Sequence, residues 1–183
     1  MYDRRQQLIC SQTQESNRLE TPIPSMRKHL EKSLKFITRQ LAEVELMIAQ
    51  YLQTHPEMKK KIDRMMLVPG VGLQTAIATL VYMPELGDLT DGEAAALAGV
   101  APYNKDSGKY SGHRSIRGGR YQVRRVLYMA AVSAARCNPI LRTFYQRLIA
   151  KGKRPKVALT AIMRKLILLL NLMLKNPDFS LAS

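Results

Sequence analysis

Apolar residues recur with a helical period along most of this chain. Leu30, Leu34, Ile37, Leu41, Val44, Ile48 and Tyr51 alternate spacings of four and three, an a/d seam three heptads long flanked by Lys, Glu, Arg and Gln. The seam predicts a coiled-coil arm, serving dimerisation or a helical hairpin; a plain amphipathic helix on a globular core is the alternative. Residues 1–20 are polar helix formers with few apolar anchors. Thr21-Pro-Ile-Pro-Ser25 breaks any helix, and Ser25 is placed to cap the arm. Pro56 opens a basic helix ending in Met65, Met66 and Leu67. Val68-Pro-Gly-Val-Gly72 follows, then a helix over 73–83. Asp91 is read as the N-cap of an Ala-rich helix that Gly99 stops. Residues 118–136 predict a helix, apolar at Val123, Val126, Leu127, Ala130, Ala131 and Ala134. Pro139 opens another, to about Lys151, and Pro155 the last, to about Lys175. No alternating strand pattern appears. The class is all-α: an arm over 1–56, a compact helical domain over 57–176 and a tail over 177–183. The longest apolar run, Leu166 to Leu174, has nine residues and is interrupted by Asn171, short of the roughly 20 needed to cross a bilayer. No membrane segment is expected.

Charge changes the picture. Residues 1–100 hold 12 Lys+Arg and 12 Asp+Glu, whereas residues 101–165 hold 16 Lys+Arg and one acid, Asp106. The whole net charge of +15 therefore lies in one segment. Such a field points to a phosphate backbone or an anionic surface rather than to a solvated face. Cys10 and Cys137 have no metal spacing with His29, His55 and His113, and read as structural thiols in a reducing cytosol. A cytoplasmic, nucleoid-associated protein is expected.

Within that segment, the loop over 101–117 presents Ser107 beside Gly108, among Lys105, Lys109, Arg114 and Arg117. Arg120, Arg124 and Arg125 follow, and Arg117, Arg120 and Arg124 read as one helical stripe. A serine nucleophile needs a proton acceptor, for which Asp106 and His113 are the local candidates, and positive charge where phosphoryl oxygens develop theirs. Tyr103, Tyr110, Tyr121 and Tyr128 interleave with the basic residues, which leaves a tyrosine nucleophile as a competing reading; Tyr128 is expected in the core. Over 60–83, a helix, the P-G-V-G turn and a second helix resemble a helix-hairpin-helix, in which Gly70 and Gly72 let the backbone approach a phosphate. An ordinary interhelical turn uses the same residues.

Together, Val68-Pro-Gly-Val-Gly72, Leu97-Ala-Gly-Val-Ala-Pro-Tyr103, Asp106-Ser-Gly108, Arg117-Gly-Gly119, Arg124, Gly152-Lys153 with Val157-Ala158, and Arg164-Lys-Leu166 resemble one family. It is the C-terminal transposase domain of the DEDD insertion-sequence transposases, the bridge-RNA-guided serine recombinases. The resemblance covers roughly 60–170, and Arg4–Leu8, Glu15–Leu19 and the heptad arm resemble flanking parts of the family. It implies DNA transposition and recombination, with Ser107 as a nucleophile that becomes linked to DNA. It implies homo-oligomers, here through the 30–51 seam, assembled on a structured guide RNA. It also implies a ribonuclease-H-like domain whose four acidic residues bind magnesium. That domain has no counterpart ahead of the arm here, so no metal ligand or cofactor is assigned to this chain. The chain reads as the C-terminal half of a transposase, active only with the acidic domain, or as a non-catalytic nucleic-acid-binding and dimerisation module. A basic adaptor for a membrane or an acidic protein is a third reading, supported by charge alone.

Overall fold

The computed structural model describes residues 1–20, 24–103 and 115–179. Among them are helices α1 (Tyr2–Glu20), α2 (Pro24–Thr54), α3 (Pro56–Met66), α4 (Leu73–Tyr82), α5 (Asp91–Leu97), α6 (Tyr121–Cys137), α7 (Pro139–Ala150) and α8 (Pro155–Lys175). The all-α expectation holds, with one addition. Strands β1 (Pro102–Tyr103) and β2 (Ser115–Ile116) pair antiparallel, Pro102 opposite Ile116 and Tyr103 opposite Ser115. Two residues per strand are too few for an alternating pattern to register. The chain divides into two compact units, Met1–Lys59 and Lys60–Ser183.

In the first unit α1 lies antiparallel on α2. Arg5 pairs with Glu45 at 2.7 Å, the Arg4 guanidinium donates to Gln40 at 2.9 Å, and Gln12 donates to Thr38 at 3.0 Å. Leu8 and Tyr2 are buried by this hairpin, and Leu30, Leu34, Ile37, Leu41, Val44 and Ile48 are half-buried. α1 therefore covers the seam only in part, and Phe36 stays 62% exposed. Pro24 takes the first position of α2, which places Ser25 inside the helix rather than at its cap. Cys10 and Cys137 are both exposed, so neither thiol has the buried structural place expected of it.

The second unit is built on α6 and α8. α6 packs against α4, α7 and α8, while α8 also takes α5 and α7. α6 buries Val123, Leu127, Ala130, Ala131 and Ala134, nearly the face the periodicity predicts. α8 is long and apolar enough to cross a membrane by length and composition, but nine of its residues, including Ile162, Leu166, Ile167 and Leu170, are buried in this helical core. The start of α5 differs from expectation by one residue. Its N-cap is Thr90, not Asp91: the Thr90 hydroxyl accepts from the Glu93 amide and the Glu93 carboxylate accepts from Thr90, a capping box.

Two polar side chains, buried Asn171 and half-buried Arg64, tie the layers. Asn171, 2% exposed within apolar α8, accepts from the Gly87 amide at 2.9 Å and donates to the Leu89 carbonyl at 2.8 Å. The asparagine that interrupts the apolar run thus closes the turn between α4 and α5. Arg64 of α3 donates to the carbonyls of Pro177, Asn176 and Phe179, where the end of α8 leaves acceptors without helical partners. Asn171→Leu keeps the branched shape and strands two backbone groups. It is expected to lower unfolding stability by about 2–4 kcal/mol in chemical denaturation followed by circular dichroism.

Candidate nucleic-acid interface

Around the segment from Ala101 to Arg125, backbone meets backbone at a glycine crossing. α5 stops at Gly99, φ +68°, and α6 starts only after Gly118 and Gly119, φ +69° and +67°. These left-handed residues explain why α6 begins at Tyr121 and not at 118, where the apolar pattern starts it. Gly99 and Gly119 touch. A Cβ on Gly119 would fall 2.3 Å from the Gly99 nitrogen and 2.4 Å from its Cα. Beside this crossing the Arg120 amide donates to the Leu97 carbonyl at 2.7 Å. β1 and β2 then bring Tyr103 and Ser115 opposite each other.

The arginines divide by what they touch. Arg120 pairs with Glu85 at 2.5 Å and donates to the Tyr82 carbonyl at 2.8 Å, which accounts for it as a tie from the start of α6 to the end of α4. Arg124 donates to the Gly118 carbonyl and so braces the glycine turn. Arg117 is exposed, with its guanidinium 5.9 Å from the centre of the Tyr103 ring. Arg125 is exposed and faces outward from α6 with Tyr121, Tyr128 and Met129. Because Arg117 precedes α6, it does not share a helical stripe with Arg120 and Arg124. Tyr128 is 37% exposed and not core: α6 turns its 123/127/130/134 side inward and leaves the 121/125/128 edge to solvent. Ser107, Lys105, Lys109 and Arg114, with Asp106, Tyr110 and His113, lie outside the described residues.

The P-G-V-G turn separates its two glycines. Gly70, φ +103°, faces α6, where a Cβ would sit 2.6 Å from Ala134, and Asn138 at the head of α7 donates to the Pro69 carbonyl at 3.4 Å. Packing on α6 accounts for Gly70. Gly72 is exposed at the N-cap of α4 with open space where a Cβ would be, which leaves the amide end of α4 open to an anion.

The Glu85 carboxyl is held below the ordinary glutamate range, chiefly by the hydrogen bond from Arg120, and the Arg120 guanidinium is raised in turn by Glu85. Glu93 is lowered by its bonds from the Thr90 amide and hydroxyl. A carboxylate with a depressed folded pKa contributes stability that is fully present above its unfolded pKa, about 4.3, and is lost as pH falls through the folded value. Thermal midpoints of wild type and Glu85→Gln are therefore expected to differ at neutral pH and to converge as the pH drops below about 4. Sequence reasoning missed Glu85, since no local signal joins it to Arg120. It also passed over Thr90, although Thr90-x-x-Glu93 is a readable capping box. Among the described residues no group of three or more His, Cys, Asp or Glu side chains is placed to hold a metal ion.

Comparison with known proteins follows the same segment. Residues 62–146 match the family model described as "Transposase IS116/IS110/IS902 family". The chain is 34% identical over 163 residues to the "Insertion element IS110 uncharacterized 43.6 kDa protein" of Streptomyces coelicolor, covering 88% of this chain and 38% of that protein. It is 28% identical to the "Insertion element IS900 uncharacterized 42 kDa protein" of Mycobacterium paratuberculosis, over 80% of this chain and 37% of that protein. It is 26% identical to the "Pilin gene-inverting protein" of Moraxella lacunata, over 78% of this chain and 45% of that protein. The chain spans less than half the length of each of these relatives.

Proposed function

We propose, for a chain that carries a C-terminal-type transposase domain of the IS116/IS110/IS902 family over residues 62–146, that it binds DNA and takes part in strand transfer during transposition or site-specific inversion. The observation that carries this reading is the concentration of charge. The segment 101–165 holds 16 Lys+Arg against one acid, and the one ion pair among its described residues, Arg120 with Glu85, sits at a structural tie. Around the 101–125 stretch, Arg117, Arg125 and the amide end of α4 at Gly72 are described groups left to face phosphate.

Ser107 is the nucleophile in this reading. Its Oγ attacks a DNA phosphorus, an Oγ–P bond forms, and the P–O bond to one deoxyribose breaks. The serine proton passes to Asp106 or His113, and the departing deoxyribose oxygen is protonated. Arginine suits the surrounding positions because its planar fork meets two phosphate oxygens at once. The support is the Asp106-Ser-Gly108 motif in its place between β1 and β2, within the segment matched to the transposase family. Self-association through the half-covered 30–51 seam and assembly on a guide RNA complete the proposal.

A test of DNA binding comes first. The full chain is expected to bind duplex DNA with an affinity that falls linearly with salt on a log–log scale. The double variant Arg117→Ala, Arg125→Ala should weaken binding across all sequences and flatten that slope by about 2, since each neutralised phosphate adds near 0.9 to it. Fluorescence anisotropy over a salt series reads both numbers. A slope near zero for wild type would remove the reading.

A further inference from the structure

A second basic site lies on the outer face of α7. Asn138 caps this helix, accepting from the Leu141 amide at 3.1 Å, and Pro139 opens it. One face of its turns carries Ile140, Thr143, Phe144 and Arg147, at successive helical spacings, while Leu141 is buried on the other. Lys165 of α8 completes the set. These side chains with Pro139 line an open cleft of about 510 Å³, within the size range of small-molecule sites.

The contents of this cleft are unusual in two ways. Phe144 has two cations at its ring, with the Arg147 guanidinium carbon 5.3 Å and the Lys165 ammonium 4.7 Å from its centre. Among the described residues neither cation forms an ion pair. Two like charges gathered on one ring repel each other, and an anion between them would reverse that repulsion. Next to them Ile140 stands 73% exposed at the start of α7. A bare anion would use the cations and leave the isoleucine without purpose. A duplex offers phosphates but keeps its bases stacked inside. An unpaired strand offers both, a phosphate and, beside it, an apolar sugar and base face.

We propose that the cleft between α7 and α8 docks an unpaired nucleic-acid strand, with one phosphate between Arg147 and Lys165 and the adjoining sugar or base laid on Pro139 and Ile140. The inference rests on the nucleic-acid reading above and adds a place and a strand state to it. A domain that exchanges DNA strands must hold strands separated from their complements, and this cleft is built from residues of α7 and α8, later in the sequence than the 101–117 loop. Phe144 acts as a spacer that fixes the two cations relative to each other; the strand's sugar or base lies on the aliphatic floor beside it.

The experiment uses the full chain, a labelled single-stranded oligo-dT and a duplex of the same length, by anisotropy over a salt series. Arg147→Ala, Lys165→Ala is expected to weaken oligo-dT about 10-fold or more, to change duplex binding less than about 3-fold, and to lower the single-strand salt slope by about 1.4, near 0.7 for each cation removed from a single strand. Ile140→Ser should weaken oligo-dT with the slope unchanged. Both sets of positions are on the surface, and matched thermal melts establish that the variants fold. If wild type binds duplex but the variants leave oligo-dT untouched, the cleft is not a strand site and the DNA reading survives. If single-strand and duplex binding fall equally, the cleft is an ordinary part of the basic surface and the inference is wrong. If the variants lose binding to phosphatidylserine vesicles and keep oligo-dT, the occupant is a lipid headgroup and the inference is again wrong. Wild type that binds neither nucleic acid overturns both readings.

Discussion

Gly119→Ala is expected to destabilise the second unit by about 2–5 kcal/mol, a large share of the roughly 5–15 kcal/mol that holds a typical domain folded. Two costs add. The residue sits at φ +67°, where a side chain costs about 1–2 kcal/mol. Its new Cβ would meet the Gly99 backbone at 2.3–2.4 Å, and backbone has no rotamer by which to move aside. Overpacking of that kind costs about 1–3 kcal/mol more. The loss should also spread to the arginine ties, because the Leu97–Arg120 hydrogen bond lies beside the crossing. Gly118→Ala serves as the control. It has a similar φ, +69°, but open space around its Cβ position, so it should carry the conformational cost alone. Equal midpoints for Gly119→Ala and wild type in denaturant would show that the two backbones do not touch.

Ser107→Ala is expected to lower strand transfer by at least about 10³-fold while leaving DNA affinity within about 3-fold of wild type. Removing the attacking oxygen abolishes the covalent step and removes no cation, so binding and chemistry should separate. Strand transfer would be assayed with the remaining portion of an IS110-type relative supplied in trans, since this chain spans 38% of the Streptomyces coelicolor relative. A fall in affinity equal to the fall in rate would mean that Ser107 holds DNA rather than attacks it. Retained transfer in the alanine variant would move the nucleophile elsewhere, with Tyr103 and Tyr110 the nearest alternatives in sequence.

The helices are legible wherever a residue with a hard conformational rule marks an end. Pro56, Pro139 and Pro155 open α3, α7 and α8, and Gly99 and Gly152 close α5 and α7. The apolar period misleads at α6, where Gly118 and Gly119 read as helix and instead turn left-handed against α5. What the sequence withholds depends on partners distant along the chain. Glu85 lies in the turn after α4 and Arg120 at the head of α6, 35 residues on, and Asn171 reaches back to Gly87 and Leu89. No periodicity encodes such pairs. Tyr128 reads as core because it neighbours Leu127. Only the packing of α4, α7 and α8 around α6 decides which edge of that helix stays open. The concentration of charge in 101–165 is readable at once, because it needs no geometry. Which arginines stay available is not, since Arg120 and Arg124 are engaged by backbone carbonyls that belong to the fold.

The most direct measurement is the covalent linkage itself. A nicked suicide DNA substrate, from which the released strand diffuses away, would be incubated with the chain and the complementing portion of a relative, and the trapped species digested and sequenced by mass spectrometry. A serine nucleophile predicts a nucleotide mass on the peptide containing Ser107, present in wild type and missing in Ser107→Ala. An adduct on any other residue, one that survives in the alanine variant, or strand transfer with no adduct formed, would contradict it.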